Sequence, residues 1–268
     1  MDEDKRMNIY VSSPKSYQDV LNVFLFCKRK NWSSCPYPLV ISTNHEVAYS
    51  DARVINSGNV NDSWVERSLQ ALRELDCKYV MLLCDDIFIS RQINSYQITE
   101  ILDYMDEHKI NFCRLKPLKS GKQIEGIPFL SYVNRNTPYA INLQQGIFCR
   151  EYLVRLLGDS GRSAWDIEGD LLKQASQADA TLFDDVITCN REIFPVIHAV
   201  EKGKWFPTAL KKVKQMGATV DSEREVISTI AEKKEIAIDY FVSFLKPETR
   251  KRIKLFATKM GYRFTNSN

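Results

Sequence analysis

Apolar residues recur along this chain with two different spacings, and the spacings alternate in a regular order. Met7–Ser13 (MNIYVSS) is an apolar run of strand length, after which Val20, Val23, Phe24 and Cys27 return every three or four positions, as on one face of a helix. Residues 37–43 (YPLVIST) and 52–57 (ARVINS) read as short strands. Over 61–76, Val65, Leu69 and Leu72 mark a second helix, and Ser63 with Glu66 three residues later gives it a capping box, in which each side chain satisfies a backbone N–H of the other. Residues 79–83 then read as a strand, 93–109 as a helix and 111–118 as a strand. The alternation predicts an α/β fold with a mostly parallel, Rossmann-type sheet flanked by helices.

Beyond a polar stretch at 119–128 the pattern is looser. Residues 130–133 and 139–148 read as strands and 151–157 as a helix, which the GDSG of 158–161 breaks. A helix is expected over 165–178, with short strands at 186–189 and 193–200. From Pro207 onward the pattern is helical, polar and basic, so the chain divides into a domain over 1–206 and a C-terminal helical extension over 207–268.

Composition narrows the class. With 268 residues and 44% hydrophobic content the chain can bury a sizeable core. A net charge of +3 gives no sign of nucleic-acid binding. The seven cysteines are irregularly spaced, form no CxxC and sit mostly in apolar runs, which suits reduced thiols in a reducing compartment. No apolar run approaches the roughly 20 residues that span a bilayer, and the start lacks a signal-peptide core, so a cytoplasmic location is expected.

Candidate chemistry begins at KYVMLLCDDIFIS, residues 78–90, where an apolar strand ends in Cys84 and two adjacent carboxylates, Asp85 and Asp86. In parallel sheets, ligands bind outside the carboxyl ends of the strands. Asp is also common where a strand turns into a loop, because its side chain bonds nearby backbone N–H groups. Both readings stand at this point. A second segment, INLQQGIFCREYLVRLLGDSGRSAWDIEGD over 141–170, carries Gln-Gln-Gly, then Arg-Glu, an apolar helix, a glycine turn and Trp-x-x-Glu-x-Asp. Asp166, Glu168 and Asp170 would also suit the first turn of a helix, where carboxylates favour the dipole.

Together these segments resemble the GT-A class of nucleotide-sugar glycosyltransferases. The nearer resemblance is to bacterial glycosyltransferases of capsule, lipopolysaccharide and related polysaccharide assembly, which carry a similar order of DD-x-F, LQ-x-G-I and W-x-x-E. Here these read DDIF at 85–88, LQQGI at 143–147 and WDIE at 165–168. The resemblance covers residues 7–206 in order and implies a GT-A-like fold and a nucleotide-diphosphate sugar donor, UDP-linked. It also implies a Mn²⁺ or Mg²⁺ cofactor and a surface-glycan acceptor, which a lipid carrier could present.

By the same resemblance, Asp86 would hold the metal. Asp85 would support it or bind the ribose. Glu168, with Asp166 and Asp170 as competitors, would take the acceptor proton in an inverting reaction. Ser12 and Ser13 match the nucleotide-base region, with Asp62 and Arg67 facing the same cleft. Gln144, Gln145 and Gly146 would line the donor-sugar pocket, the glycine allowing close backbone approach. His198 would reach the metal or diphosphate, and Lys202 and Lys204 the phosphates, although a strand-end His and two solvated lysines would look the same. Trp165 reads either as a stacking platform for acceptor sugar or as core. Cys84 stands where this class often has an Asp; a thiol is a poor ligand for Mg²⁺, so it reads as packing.

The extreme C-terminus is different in kind. Lys246, Arg250, Lys251, Arg252, Lys254, Lys259 and Arg263 surround Leu255, Phe256, Met260 and Tyr262. A basic amphipathic helix of this kind can lie on an anionic membrane, here the inner face of the cytoplasmic membrane, or pack on its own domain. Two rival functions remain: a nucleotidyltransferase on a related sheet, and a non-catalytic nucleotide-sugar-binding or scaffold protein of the same fold. The first would need a Gly-rich phosphate loop after the first strand, of which VSSPKSY is a poor version.

Overall fold

The computed structural model of the chain describes residues 3–57, 62–134, 136–158, 161–175, 177 and 183–232. The basic stretch 246–263 lies outside the described residues. The chain divides into two compact units, 1–197 and 198–268.

The first unit opens with a single helical turn, α1 (Glu3–Arg6), then runs β1 (Met7–Ser12), α2 (Gln18–Asn31), β2 (Leu39–Thr43), β3 (Arg53–Asn56) and α3 (Trp64–Arg73). It continues with β4 (Tyr79–Leu83), β5 (Ile87–Ile89), α4 (Ser95–His108), β6 (Phe112–Arg114), β7 (Leu130–Tyr132) and β8 (Gly146–Cys149). α5 (Arg150–Leu157), α6 (Ala164–Ala175), β9 (Val186–Cys189) and β10 (Val196–His198) follow. Eight strands form one sheet in the order β3-β2-β1-β4-β8-β6-β9-β7. β3, β2, β1 and β4 are mutually parallel, as are β6 and β9; β8 runs antiparallel to both β4 and β6, and β7 antiparallel to β9. The expected α/β architecture is therefore present, with β8 reversed in the middle of the sheet.

The inner strands of the parallel half are largely apolar because both faces are covered, whereas the edge strand β3 is partly exposed. Every residue of β1, β2 and β4 is buried. Side chains alternate across the sheet, so Tyr10, Val80 and Leu82 join Leu69, Leu72, Leu153, Ile167 and Leu171 in a core beneath α3, α5 and α6. On the other side, the Trp32 indole N–H donates to Ser95 Oγ at 2.8 Å, tying the end of α2 to the start of α4. The capping box of α3 forms as expected: Glu66 N–H donates to Ser63 Oγ at 3.2 Å and Ser63 N–H to Glu66 Oε2 at 2.7 Å. All seven cysteines are free thiols.

Several expected elements are shorter than the sequence suggested; of the strand expected over 111–118 only Phe112–Arg114 forms. Only 146–148 of the apolar stretch 139–148 is strand, as part of β8; Ala140, Ile141 and Leu143 are buried in a loop instead. In the second unit, β11 (Val200–Glu201) and β12 (Lys204–Trp205) form a hairpin that leads into α7 (Pro207–Gln215). That helix ends at Gly217 (φ 94°), and 219–228 return as irregular chain, with Trp205 N–H donating to Glu225 C=O and Ile227 N–H to Trp205 C=O. No helix among the described residues is long and apolar enough to cross a membrane.

Candidate active site

The chain leaves β1 towards β2 and β3 and returns to β4 on the other side, so the strand order switches between β1 and β4. Ligands of open α/β sheets bind at such a switch point, beyond the carboxyl ends of the strands. Val11 pairs with Leu83 there, which carries Ser12 and Ser13 alongside Cys84 and Asp85. The Ser13 hydroxyl donates to Asp85 Oδ2 at 2.6 Å, bridging the two strand ends. Asp85 is 8% exposed, whereas Asp86, one residue further, is half-buried.

The reversal of β8 brings the loop before it to the same end of the sheet. Leu82 pairs with Gly146, so Gln144 and Gln145 lie beside the end of β4. The Cys84 thiol faces the Gln144 C=O at 3.6 Å. Burial pushes that thiol well above its ordinary pKa, and the negative charges of Asp86, Asp85 and Glu168 push it further. All three carboxylates therefore lie near enough to Cys84 for their charge to act on it.

α6 delivers Glu168 but not its neighbours. At 100° per residue, Asp166 and Asp170 share a helix face and Glu168 projects from the other side. Asp166 closes a capping box with Ser163, accepting from the Ser163 N–H at 2.9 Å and hydroxyl at 2.7 Å. Asp170 accepts from Arg162 at 2.6 Å and Lys173 at 2.8 Å. Both carboxyls are held below their usual pKa by these partners. Glu168 is the opposite case: burial raises its pKa, while the Leu143 N–H, donating to Oε1 at 2.9 Å, and the charge of Arg114 pull it back. Trp165, near the start of α6, is 61% exposed and so is not core.

Arg114, at the end of β6, carried no sequence assignment. It is 7% exposed, its Nε donates to the Lys116 C=O at 3.0 Å and its Nη1 to the Tyr139 C=O. Burial lowers its pKa to about 10, and Glu168 opposes that shift. An Arg inside the apolar run NFCRL was itself a signal, since Arg is almost never buried without a partner.

The remaining sequence candidates separate. Arg67 is buried in the first turns of α3; its Nη1 donates to the Asp62 C=O, its Nε is left without a hydrogen bond, and its charge acts on the Tyr10 hydroxyl of β1. Gln145 is buried with Oε1 likewise unbonded, while Gln144 is exposed. A Cβ on Gly146 would lie 2.3 Å from the Phe112 ring, so core packing already accounts for that glycine. His198, Lys202 and Lys204 belong to the second unit. There His198 Nε2 lies 4.0 Å from Glu201, Lys202 3.9 Å from Glu201 and Lys204 2.6 Å from Glu225.

Among the described residues no three His, Cys, Asp or Glu side chains converge into a ready-made metal cage. A hard cation bound together with a diphosphate does not need one, because it takes most ligands from phosphate and water and one or two from protein carboxylates. Asp85 and Asp86 fit that demand.

No protein-family model matches the chain, and no curated protein sequence does. Solved structures are similar to it at low identity and low TM-score. TarS 1–349 of S. aureus in complex with UDP-GlcNAc is 12% identical with a TM-score of 0.46, over 75% of this chain and 60% of that one. A cytidylyltransferase from Leptospira borgpetersenii serovar Hardjo-bovis is 11% identical with a TM-score of 0.43, over 83% of this chain and 99% of that one. Against another TarS 1–349 structure the chain spans 58% of its length. The neighbours thus include a protein solved with UDP-GlcNAc and a cytidylyltransferase, and all of these TM-scores lie below 0.5.

Proposed function

We propose that the chain is a glycosyltransferase that moves a sugar from a UDP-linked donor to a hydroxyl of a bacterial surface glycan, with inversion at the anomeric carbon. The observation that carries this reading is the contrast within α6. Of its three candidate carboxylates, Asp166 and Asp170 are engaged by local partners, and Glu168 alone is buried, bonded to the Leu143 N–H of the loop before β8, with its charge felt by Cys84 together with those of Asp85 and Asp86. A general base needs that environment: enough burial to raise its proton affinity, and enough compensation to remain ionised.

In this reading the acceptor hydroxyl gives its proton to Glu168, whose Oε1 is occupied by the Leu143 N–H. The hydroxyl oxygen forms the new bond to the anomeric carbon from the face opposite the diphosphate. The old carbon–oxygen bond breaks, and its electron pair leaves with UDP. Asp86, with Asp85 beside it, would hold Mn²⁺ or Mg²⁺, which when bound neutralises charge on the diphosphate. Ser12, Ser13, Asp62 and the orphaned Arg67 Nε would line the nucleotide side, and Gln144 and Gln145 the sugar side. The basic stretch 246–263 would rest on an anionic membrane where a lipid-linked acceptor is presented.

The test is a nucleotide-sugar screen with wild type and Glu168→Gln. Wild type is expected to release UDP and transfer sugar. The variant is expected to bind the donor normally but lose on the order of a hundredfold or more in kcat. Pyrophosphate release from a nucleoside triphosphate and a sugar phosphate would show a nucleotidyltransferase instead. Calorimetric binding of UDP and Mn²⁺ with no turnover on any donor would show a binding protein.

A further inference from the structure

We infer that Arg114 is a positioning residue that clamps the 139–145 loop so that Glu168 is held where the acceptor proton must go; the catalytic half of this inference rests on the reading of Glu168 as the base. A buried guanidinium at the end of a three-residue strand is costly unless its donors are used and its charge is answered. Arg114 spends two donors on backbone carbonyls, one just downstream at Lys116 and one across the loop at Tyr139. Its charge is answered by Glu168, with no hydrogen bond between them.

The loop is unusual where Arg114 takes hold of it. Tyr139 has φ 58°, a left-handed conformation that a bulky residue adopts only when its surroundings impose it. From there the chain is fixed step by step towards the site. Ala140 and Ile141 are buried, and Asn142 Oδ1 accepts from the Gln144 N–H at 3.1 Å, which tightens a turn. That turn aims the Leu143 N–H at Glu168 Oε1. The far end of the loop is closed beside Arg114 itself: Arg114 pairs with Gly146, and the Leu115 N–H donates to the Gln145 C=O at 3.4 Å. One side chain therefore ties the start of the loop to β6, the neighbour of the strand that carries its end, and the amide that fixes Glu168 lies between the two ties.

Two measurements decide the inference on the full chain. The first is amide hydrogen exchange without any ligand. In Arg114→Gln the Leu143 and Gln144 amides should exchange faster than in wild type while the amides of β1 and β4 do not change. Arg114→Lys, which keeps the charge but has a single nitrogen to offer where Arg114 uses two, should fall between. The second is steady-state kinetics with the donor identified by the screen above. Arg114→Gln should lose on the order of tenfold to a hundredfold in kcat with donor KM little changed, and Arg114→Lys should recover part of it. Unchanged exchange at Leu143 in Arg114→Gln overturns the clamp. Faster exchange with wild-type kcat overturns its role in positioning. A rise in donor KM at constant kcat makes Arg114 a donor ligand and overturns it too. If Arg114→Gln does not fold, the same outcomes are read from Arg114→Lys. If wild type turns over no nucleotide sugar, the transferase reading fails, and the exchange data still decide whether the clamp exists.

Discussion

Replacing Gly146 by alanine separates two reasons for a glycine at that position. A glycine there could let donor sugar approach the backbone, or it could make room for the Phe112 ring. An ideal Cβ at 146 would lie 2.3 Å from Phe112 Cε2, 2.8 Å from Cζ and 3.0 Å from the Cys113 C=O. Carbon atoms pack at about 3.5 Å or more, so the ring would have to retreat by roughly 1.2 Å. It has little freedom to do so, being fully buried with its centroid 4.2 Å from that of Phe148. Overpacking of this kind costs about 1–3 kcal/mol. For a chain of this size each kcal/mol moves the melting temperature by about 2–4 °C, so Gly146→Ala should melt about 2–12 °C below wild type. Thermal unfolding followed by circular dichroism is the assay, with Phe112→Leu as the partner in a double-mutant cycle. The smaller side chain at 112 should relieve part of the cost of the added methyl group, giving a coupling of about 1 kcal/mol. If Gly146→Ala melts with wild type but raises the donor KM, the packing argument is wrong and the glycine serves the ligand.

Three other outcomes are expected. Asp86→Ala should abolish transfer while melting normally, and wild-type activity should vanish with a chelator and return with Mn²⁺ or Mg²⁺; full activity in excess chelator removes the metal from the mechanism. Because burial raises the Glu168 pKa and the base works as a carboxylate, kcat should fall as pH drops through a value above the ordinary range of a Glu side chain, and Asp166→Asn should leave that acid limb in place. The same raised pKa means that this carboxyl's contribution to folding is fully present at low pH and is lost as pH rises through its folded value. Arg250→Glu, Lys251→Glu and Arg252→Glu together should release the protein from anionic liposomes, cut transfer to a lipid-linked acceptor and spare donor hydrolysis; wild type that fails to sediment with such liposomes at low salt removes the membrane from the picture.

The parallel half of the fold was legible because its strands are apolar runs and its helices carry a 3.6-residue stripe. Ser63 and Glu66 even marked the first turn of α3. The reading failed at 139–145, where alternating apolar residues imitate a strand. There the groups a strand would have spent on a ladder go to side chains: the Tyr139 C=O to Arg114 and the Leu143 N–H to Glu168. No periodicity records such a diversion, since both partners lie far away in sequence. The end of α7 went unread, although Gly217 supplies the left-handed residue that stops a helix. Within the site, the strand-end pair Asp85 and Asp86 was legible from pattern. The separation of Glu168 from Asp166 and Asp170 was implicit in the helical spacing, which turns alternate residues by about 200°. Arg114 was missed although a charge inside an apolar strand was in plain view.

The reversed strand β8 also shapes how this scaffold can change. β6 and β8 run antiparallel, so the excursion between them leaves and re-enters the sheet at neighbouring points, drawn together by the bond from Leu115 to Gln145. Much of that excursion is itself held: β7 pairs with β9, the Leu118 N–H donates to the Cys189 C=O, the Tyr132 N–H to the Lys122 C=O and the Asn190 N–H to the Phe129 C=O. Doubling a loop whose ends are already held costs only about 0.6 kcal/mol. Added length is therefore expected to be tolerated at the exposed turn of Glu125 and Gly126, where a Cβ on the glycine would meet nothing within 4 Å, and not at Leu115, Ile124 or Phe129, which are buried.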